Sequence, residues 1–179
     1  MTNSVYDSPN IKDDVNRHIL TILVDNEPGV LARVIGMFSG RGYNIDSLNV
    51  AEVNNKHLSR ITIVTHGTKE VVDQIQSQLM RIVPVHSVTN LDQEGSSVEA
   101  EVALICMSVD INDKKKAFQI CDLYRARKIE NEHNSIIFEI AGTSERINTF
   151  IRDINKVSKI EVVRSGPVAI SSVNQKKEE

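Results

Sequence analysis

Residues 19–38 read ILTILVDNEPGVLARVIGMF, which places a strand, a turn and a helix in immediate succession. Ile19–Val24 is short and rich in aliphatic and β-branched residues, and predicts a strand. Asp25-Asn26-Glu27-Pro28-Gly29 has turn chemistry, with Pro fixing one backbone angle and Gly allowing conformations closed to other residues. Val30, Leu31, Val34, Ile35 and Phe38 then recur at i, i+1, i+4, i+5 and i+8, one face of a helix. Gly40 and Gly42 stop that helix.

Working outward, Asn44–Val53 and Leu58–Thr65 predict two strands joined by the polar turn Asn54-Asn55-Lys56. Thr68 is placed to cap a second helix with Val71, Val72, Ile75 and Leu79 on its apolar face. A strand over about Val83–Thr89 completes a β-α-β-β-α-β order. The second half repeats it. Val102–Met107 is a strand, Ala117, Cys121 and Tyr124 mark a helix, and strands follow near Ile129 and over Ile136–Ala141. Thr143 caps a helix with Ile147, Phe150, Ile151, Ile154 and Val157 on one face, and Ile160–Arg164 closes the sheet. Between the halves lies Asp92-Gln-Glu-Gly-Ser-Ser97, with no apolar residue before Val98. The expected fold is therefore α+β, two ferredoxin-like βαββαβ domains. The divisions are an N-terminal extension (1–17), a first domain (18–91), a linker (92–98), a second domain (99–170) and a polar tail (171–179).

Such units leave surface to be covered. Ile19 and Leu23 point away from Leu20, Ile22 and Val24, so both faces of the first strand are apolar, and a domain of ~70 residues buries little by itself. Self-association is the expected cover.

Composition excludes several classes. At 179 residues, 40% hydrophobic and 25% charged, the chain has the make-up of a packed globular protein. Its longest apolar run falls far short of the ~20 residues that cross a bilayer, and residues 1–16 carry no targeting pattern, so a cytoplasmic protein is expected. Charge is balanced in each half, six basic and six acidic residues over 18–91 and eleven of each over 99–170, which argues against phosphate neutralisation on nucleic acid. Cys106 and Cys121 read as small core residues. His18, His57, His66, His86 and His133 show no metal-ligand spacing, so no metal is expected. Glu99/Glu101 and Glu130/Glu132 alternate along predicted strands and read as solvent faces, and Lys114-Lys115-Lys116 as a solvated helix face. No GxSxG, Walker loop, strand-borne GxGxxG or HExxH occurs, so no catalytic residues are assigned.

The one segment with ligand chemistry is the Asn26–Leu31 turn. The amides of Gly29, Val30 and Leu31 open at the positive end of a helix and suit a carboxylate. Asn26 adds an amide that donates and accepts. An amino acid with an apolar side chain fits this set, although the same residues also make an ordinary strand-to-helix turn.

Residues 25–51, DNEPGVLARVIGMFSGRGYNIDSLNVA, resemble the N-terminal signature of ACT domains, and in detail that of the small regulatory subunits of acetolactate (acetohydroxyacid) synthase. The resemblance extends through Leu58–Ile63, Gln74–Leu79 and Val83–Val85, resumes at Ala141–Ser144 and Glu161–Gly166, and covers about residues 17–170. It implies an N-terminal ACT domain followed by an ACT-like domain, with no catalytic centre and no cofactor on this chain. Thiamine diphosphate, magnesium and FAD would sit on a catalytic large subunit that the chain binds and activates. It further implies feedback inhibition by branched-chain amino acids, chiefly valine, bound where ACT domains pair as a homodimer or higher oligomer. Asn26, Glu27, Pro28, Gly29, Val30 and Leu31 would form the effector loop, and Asn44 and Ile45 would come from the paired domain. There Gly29–Leu31 amides would hold the carboxylate, Asn26 and Asn44 orient the polar end, and Ile45 contact the side chain.

Two other classes compete. A stand-alone amino-acid-sensing ACT protein controlling transcription would need a helix-turn-helix, for which no segment remains outside the two units. An RNA-binding module of the same topology would need aromatics on its central strands, where Ile61 and Ile63 stand instead.

Overall fold

The computed structural model describes residues 14–93, 97–108, 111–130 and 135–172. The first unit comprises β1 (Asn16–Asp25), α1 (Val30–Ser39), β2 (Ser47–Glu52), β3 (Leu58–Gly67), α2 (Lys69–Leu79) and β4 (Val85–Asn90). Its strands form an antiparallel sheet in the order β2-β3-β1-β4. Leu20, Ile22 and Val24 alternate onto the face that α1 and α2 cover, where they meet Val34, Phe38, Ile61, Ile63, Val72, Ile75 and Leu79. Thr68 caps α2 by accepting from the Val71 amide.

The second unit has the same topology: β5 (Ser97–Ser108), α3 (Ile111–Leu123), β6 (Arg127–Glu130), β7 (Ser135–Gly142), α4 (Ser144–Asn155) and β8 (Ile160–Arg164), with sheet order β6-β7-β5-β8. Its core joins Ala103, Ile105 and Met107 to Cys121, Phe138, Ile147, Phe150 and Ile154. Thr143 caps α4 by accepting from the Arg146 amide. The chain thus carries two ferredoxin-like, ACT-like domains.

A further strand, β9 (Val168–Ser171), was not expected, and it changes the junction. Both β8 and β9 pair antiparallel with β5, but the register advances by one residue between the Ala103–Arg164 and Ala100–Val168 pairs. The extra residue is a bulge at 165–167, where Gly166 has φ +73°. A bulge bends its strand. The β5–β9 ribbon accordingly leaves the second sheet and lies over the outer face of the first, where Ala169 packs with Ile19, Val64 and Leu91. Ile19 is thus covered from within the chain rather than by self-association, while Leu23 on the same face stays half-buried.

The junction corrects other expectations. β1 begins at Asn16, inside the span given to the N-terminal extension, whose residues 1–13 lie outside the described residues. The linker at 92–98 shrinks from both ends. The Asp92 carboxylate accepts from the Ile19 amide at 2.9 Å, and Ser97 and Val98 already belong to β5. The second domain therefore spans 97–171, and of the tail 171–179 residues 173–179 lie outside the described residues.

Glu101 does not lie on a solvent face. Its side chain is 2% exposed and takes Arg164 Nε at 2.6 Å, Arg164 Nη2 at 2.7 Å and Ser144 Oγ at 3.0 Å. Glu99 pairs with Arg17 across the junction at 2.7 Å. The Glu130 side chain, Glu132 and His133 lie outside the described residues. Cys121 is buried, its thiol donating to Ala126 O, but Cys106 is half-buried on the uncovered face of the second sheet rather than in the core.

α3 ends in a Schellman motif, with the Ala126 amide on Cys121 O and the Arg125 amide on Asp122 O. The left-handed position belongs to Arg125, φ 50°, where glycine is the usual occupant. Arg125→Gly should therefore raise the unfolding free energy by about 0.5–1 kcal/mol, once glycine's greater unfolded entropy is deducted from the relieved strain. Urea melts of the two chains check this, and a loss of stability would show that the Arg125 side chain contributes more than its backbone costs.

Glu101 gives a second expectation. The Arg164 guanidinium first, then Ser144 and the Gly166 amide, hold its carboxyl below the usual glutamate value against the opposing effect of burial. A lowered folded value means stability that is full at neutral pH and lost as pH falls through that value. Acidification from about pH 7 to about pH 3 should destabilise the wild type more than Glu101→Gln, as read by denaturant midpoints. Equal losses in both would remove Glu101 from the account.

Candidate functional site

Two loops hold the residues with ligand chemistry, one at each end of α1. The Asp25–Gly29 turn enters the helix. Its backbone is fixed by the Asp25 amide on Pro84 O at 2.9 Å and the Asn26 amide on His57 O at 2.8 Å. The Asp25 carboxylate meets His86 Nε2 at 2.6 Å, tying the turn to β4. Gly29 is the N-cap residue with φ 89° and ψ −10°, left-handed, and a Cβ built there meets nothing within 4 Å. Beyond it the first helical turn is open. Among the described residues no side chain caps α1, and no acidic residue stands in its first turn, whereas α2 and α4 each have a Thr cap and a first-turn Glu. The Val30 amide reaches Glu27 O at a long 3.4 Å. Glu27, Pro28 and Gly29 are exposed, Val30 is buried in the first core, and Leu31 is 36% exposed.

Asn26 has another task as well. Its amide donates to Lys56 O at 3.0 Å and to the Glu52 carboxylate at 3.3 Å, bracing the β2–β3 turn against the loop. These bonds fix the side chain beside the open helix end.

The second loop follows α1. Tyr43 and Ile45 pack against the first core and Asn44 is exposed between them. The Asn44 side-chain amide donates to Asp46 Oδ1 at 2.6 Å, and the Asn44 backbone carbonyl accepts from Thr65 Oγ1 at 2.7 Å. Asp46 also meets His66 Nδ1 at 2.5 Å, and its amide bonds Val64 O at 2.9 Å. The strand predicted from Asn44 begins only at Ser47, so Asn44 and Ile45 occupy a loop held to β3 from both sides. Sequence reasoning missed the bracing partners His66, His86, Glu52 and Lys56, whose pairings join separate elements and leave no local pattern.

The two loops cannot enclose one small molecule within a single chain. α1 has ten residues, and at ~1.5 Å each its ends are about 15 Å apart. Among the described residues no group of three or more His, Cys, Asp or Glu is arranged to hold a metal, and no helix is long and apolar enough to cross a membrane.

Comparison with known proteins fits this architecture half by half. Residues 20–87 match the family described as the AHAS small subunit-like ACT domain, and residues 100–173 match the small subunit of acetolactate synthase. The chain is 40% identical over 156 residues to the acetolactate synthase isozyme 3 small subunit of Escherichia coli, covering 87% of this chain and 95% of that protein. It is 35% identical over 160 residues to a probable acetolactate synthase small subunit of Archaeoglobus fulgidus, covering 89% and 99%. The crystal structure of the acetolactate synthase small subunit from Thermotoga maritima superposes with a TM-score of 0.81 at 34% identity, covering 89% of this chain and 99% of that one. With the same two domains in the same order along nearly the whole length of these relatives, the chain belongs to the family of acetolactate synthase small subunits, the regulatory ACT subunits of that enzyme.

Proposed function

We propose that the chain binds a catalytic large subunit of acetolactate synthase, raises its activity and makes it sensitive to valine, thereby serving branched-chain amino acid biosynthesis. The large subunit carries thiamine diphosphate, magnesium and FAD, and this chain carries no cofactor. It works in the cytoplasm as a homodimer or higher oligomer.

The observation that carries the effector reading is the separation of the two loops across α1. A two-fold axis perpendicular to α1 sets the helix antiparallel to its copy, so the N-terminal loop of one protomer faces the C-terminal loop of the other. β2 is an edge strand of the first sheet, and pairing it with its copy continues the sheet across the same axis. Each site then takes Asn26–Leu31 from one protomer and Asn44–Ile45 from its partner. The Gly29, Val30 and Leu31 amides hold the valine carboxylate, supported by the helix dipole. Asn26, Glu27 and the partner's Asn44 settle the polar end, Pro28 shapes the turn, and the partner's Ile45 meets the isopropyl group. One methylene is worth only ~0.8 kcal/mol, so leucine and isoleucine compete for the same site.

Substitution at the two loops tests this reading in the complex with the large subunit. Gly29→Asp sets a carboxylate where the ligand carboxylate lies, and the loss of a charge-assisted hydrogen bond alone weakens binding roughly 10–100-fold. Gly29→Asn has a similar shape, tolerates the left-handed backbone and adds no charge, so it should lose less. Asn44→His removes the amide given by the partner protomer. The expected result is a valine inhibition midpoint raised at least ~10-fold in Gly29→Asp and Asn44→His, with part of the activation of the large subunit retained. Unchanged midpoints in both would move the effector site elsewhere. Sedimentation should find a dimer, and a monomer that binds valine with full affinity would contradict a shared site. The purified chain alone should form no acetolactate from pyruvate.

A further inference from the structure

Asn44–Ile45 is followed at once by the strand that touches the second domain. Ser47 and Asn49 lie on the outer face of β2, away from the helices, and meet the 165–167 bulge. The Asn49 amide donates to Pro167 O at 3.0 Å. Gly166 is buried so close to Ser47 that a Cβ at position 166 would stand 2.8 Å from Ser47 Cβ and 2.9 Å from Ser47 Oγ. The Ser47 hydroxyl is itself buried without a hydrogen-bond partner among the described residues. A polar group in that state is costly, so the contact is held by its surroundings rather than by its own bonding. Parting β2 from the bulge by enough to admit water would satisfy the hydroxyl, which lowers the cost of opening this contact relative to one whose polar groups are all bonded.

Beside this contact is a cleft of about 530 Å³ between the domains, lined on one side by Asp46, Ser47 and His66 and on the other by Arg164, Ser165 and Gly166. Its charged side chains are engaged within the chain, Asp46 by a hydrogen bond with His66, Arg164 by Glu101 and Arg17 by Glu99. The cleft therefore offers a ligand little that is not already engaged, and what it supplies is room for movement.

We infer that the contact of Ser47 and Asn49 with Gly166 and Pro167 transmits effector binding to the second domain, and that Gly166 and Asn49 are positioning residues for valine inhibition. This rests on the reading that Asn44 and Ile45 meet the effector. A ligand that draws on the Asn44 amide competes with Asp46, the residue preceding Ser47. A shift of Ser47 opens or closes the bulge contact. The bulge is continuous with Arg164 on one side and the β9 ribbon on the other, so the second domain follows. Coupling of this kind needs an element that both sites bias, and the Ser47–Gly166 contact, close-packed yet with an unbonded hydroxyl, is the one that lies between them.

The experiment uses the full chain with its large subunit. Gly166→Ala forces the segments apart, and Asn49→Ala removes the bond to Pro167 without adding bulk. Valine binding to each folded variant should stay within about threefold of wild type by calorimetry, while the valine-dependent loss of activity should fall to less than about half its wild-type extent. In wild type, valine should also change amide exchange across Val168–Ser171, and Asn49→Ala should abolish that change. Wild-type inhibition curves in both variants overturn the inference, as does loss of binding in proportion to loss of inhibition. If Gly166→Ala does not fold, Asn49→Ala decides alone. If the wild-type chain binds no valine, the proposed effector site fails and the link is judged separately. Asn44→His, which breaks the bond to Asp46, must then alter exchange at Val168–Ser171 without ligand, and no alteration overturns the inference.

Discussion

The arrangement of the two domains depends on how one buried carboxylate is satisfied. Glu101 lies where β5 passes from pairing with β8 to pairing with β9, and it draws Arg164, Ser144 and the Gly166 amide around itself. An ionised carboxylate is buried only when its oxygens are bonded, and here the donors come from β8, from the first residue of α4 and from the bulge itself. Together these bonds keep the 165–167 segment bulged with Gly166 left-handed. The bulge turns β9 out of the second sheet and onto Ile19, Val64 and Leu91. Without that bend the outer face of the first sheet would stay open, and the two ferredoxin-like units would be joined only by their linker.

The same dependence separates what is legible in the sequence from what is not. The Asp25–Gly29 turn and the Thr68 and Thr143 caps follow from side chains within a few residues of one another, and each is found where expected. In α1, Val30, Val34 and Phe38 turn inward as expected, but Leu31 from the same expected face is exposed and Met37 is buried instead. β9 has four residues beyond a Gly-Pro pair, and its polar continuation, Ser171-Ser172, reads as a tail. Glu101 alternates with exposed Val102 and Leu104, a spacing that describes a buried inner face as well as a solvated outer one. What decides between them is Arg164, distant in the chain and adjacent only through β5–β8 pairing. A signal was nevertheless present. Val168-Ala169-Ile170 after a glycine-proline turn is β-rich, and an arginine closing β8 has to find an anion if it turns inward.

The candidate site divides in the same way. Its residue types are legible because an anion-accepting helix end needs a turn with glycine and open amides, and Asn26–Leu31 supplies both. The bracing of each loop is not legible, because Asp25 with His86, Asp46 with His66, and Asn26 with Lys56 all pair across elements. Those pairs brace two exposed loops from within the chain, which would lower the ordering cost of the proposed binding of a molecule as small as an amino acid.

The length of α1 then links the fold to regulation. A helix of ten residues is too long for its two ends to meet one amino acid, so a site using both loops would need a copy of the helix lying antiparallel to it. Effector binding at such a site is inseparable from pairing, since each ligand would be held by two chains. On the other side of the first sheet the same β2 strand meets the bulge through Ser47 and Asn49. One edge strand therefore has its beginning beside the candidate effector residues, the sheet edge to which the proposed second protomer would add, and its outer face against the second domain. On the proposed reading a displacement of that strand bears on all three places, because close-packed segments cannot accommodate it by compression and must either follow or part.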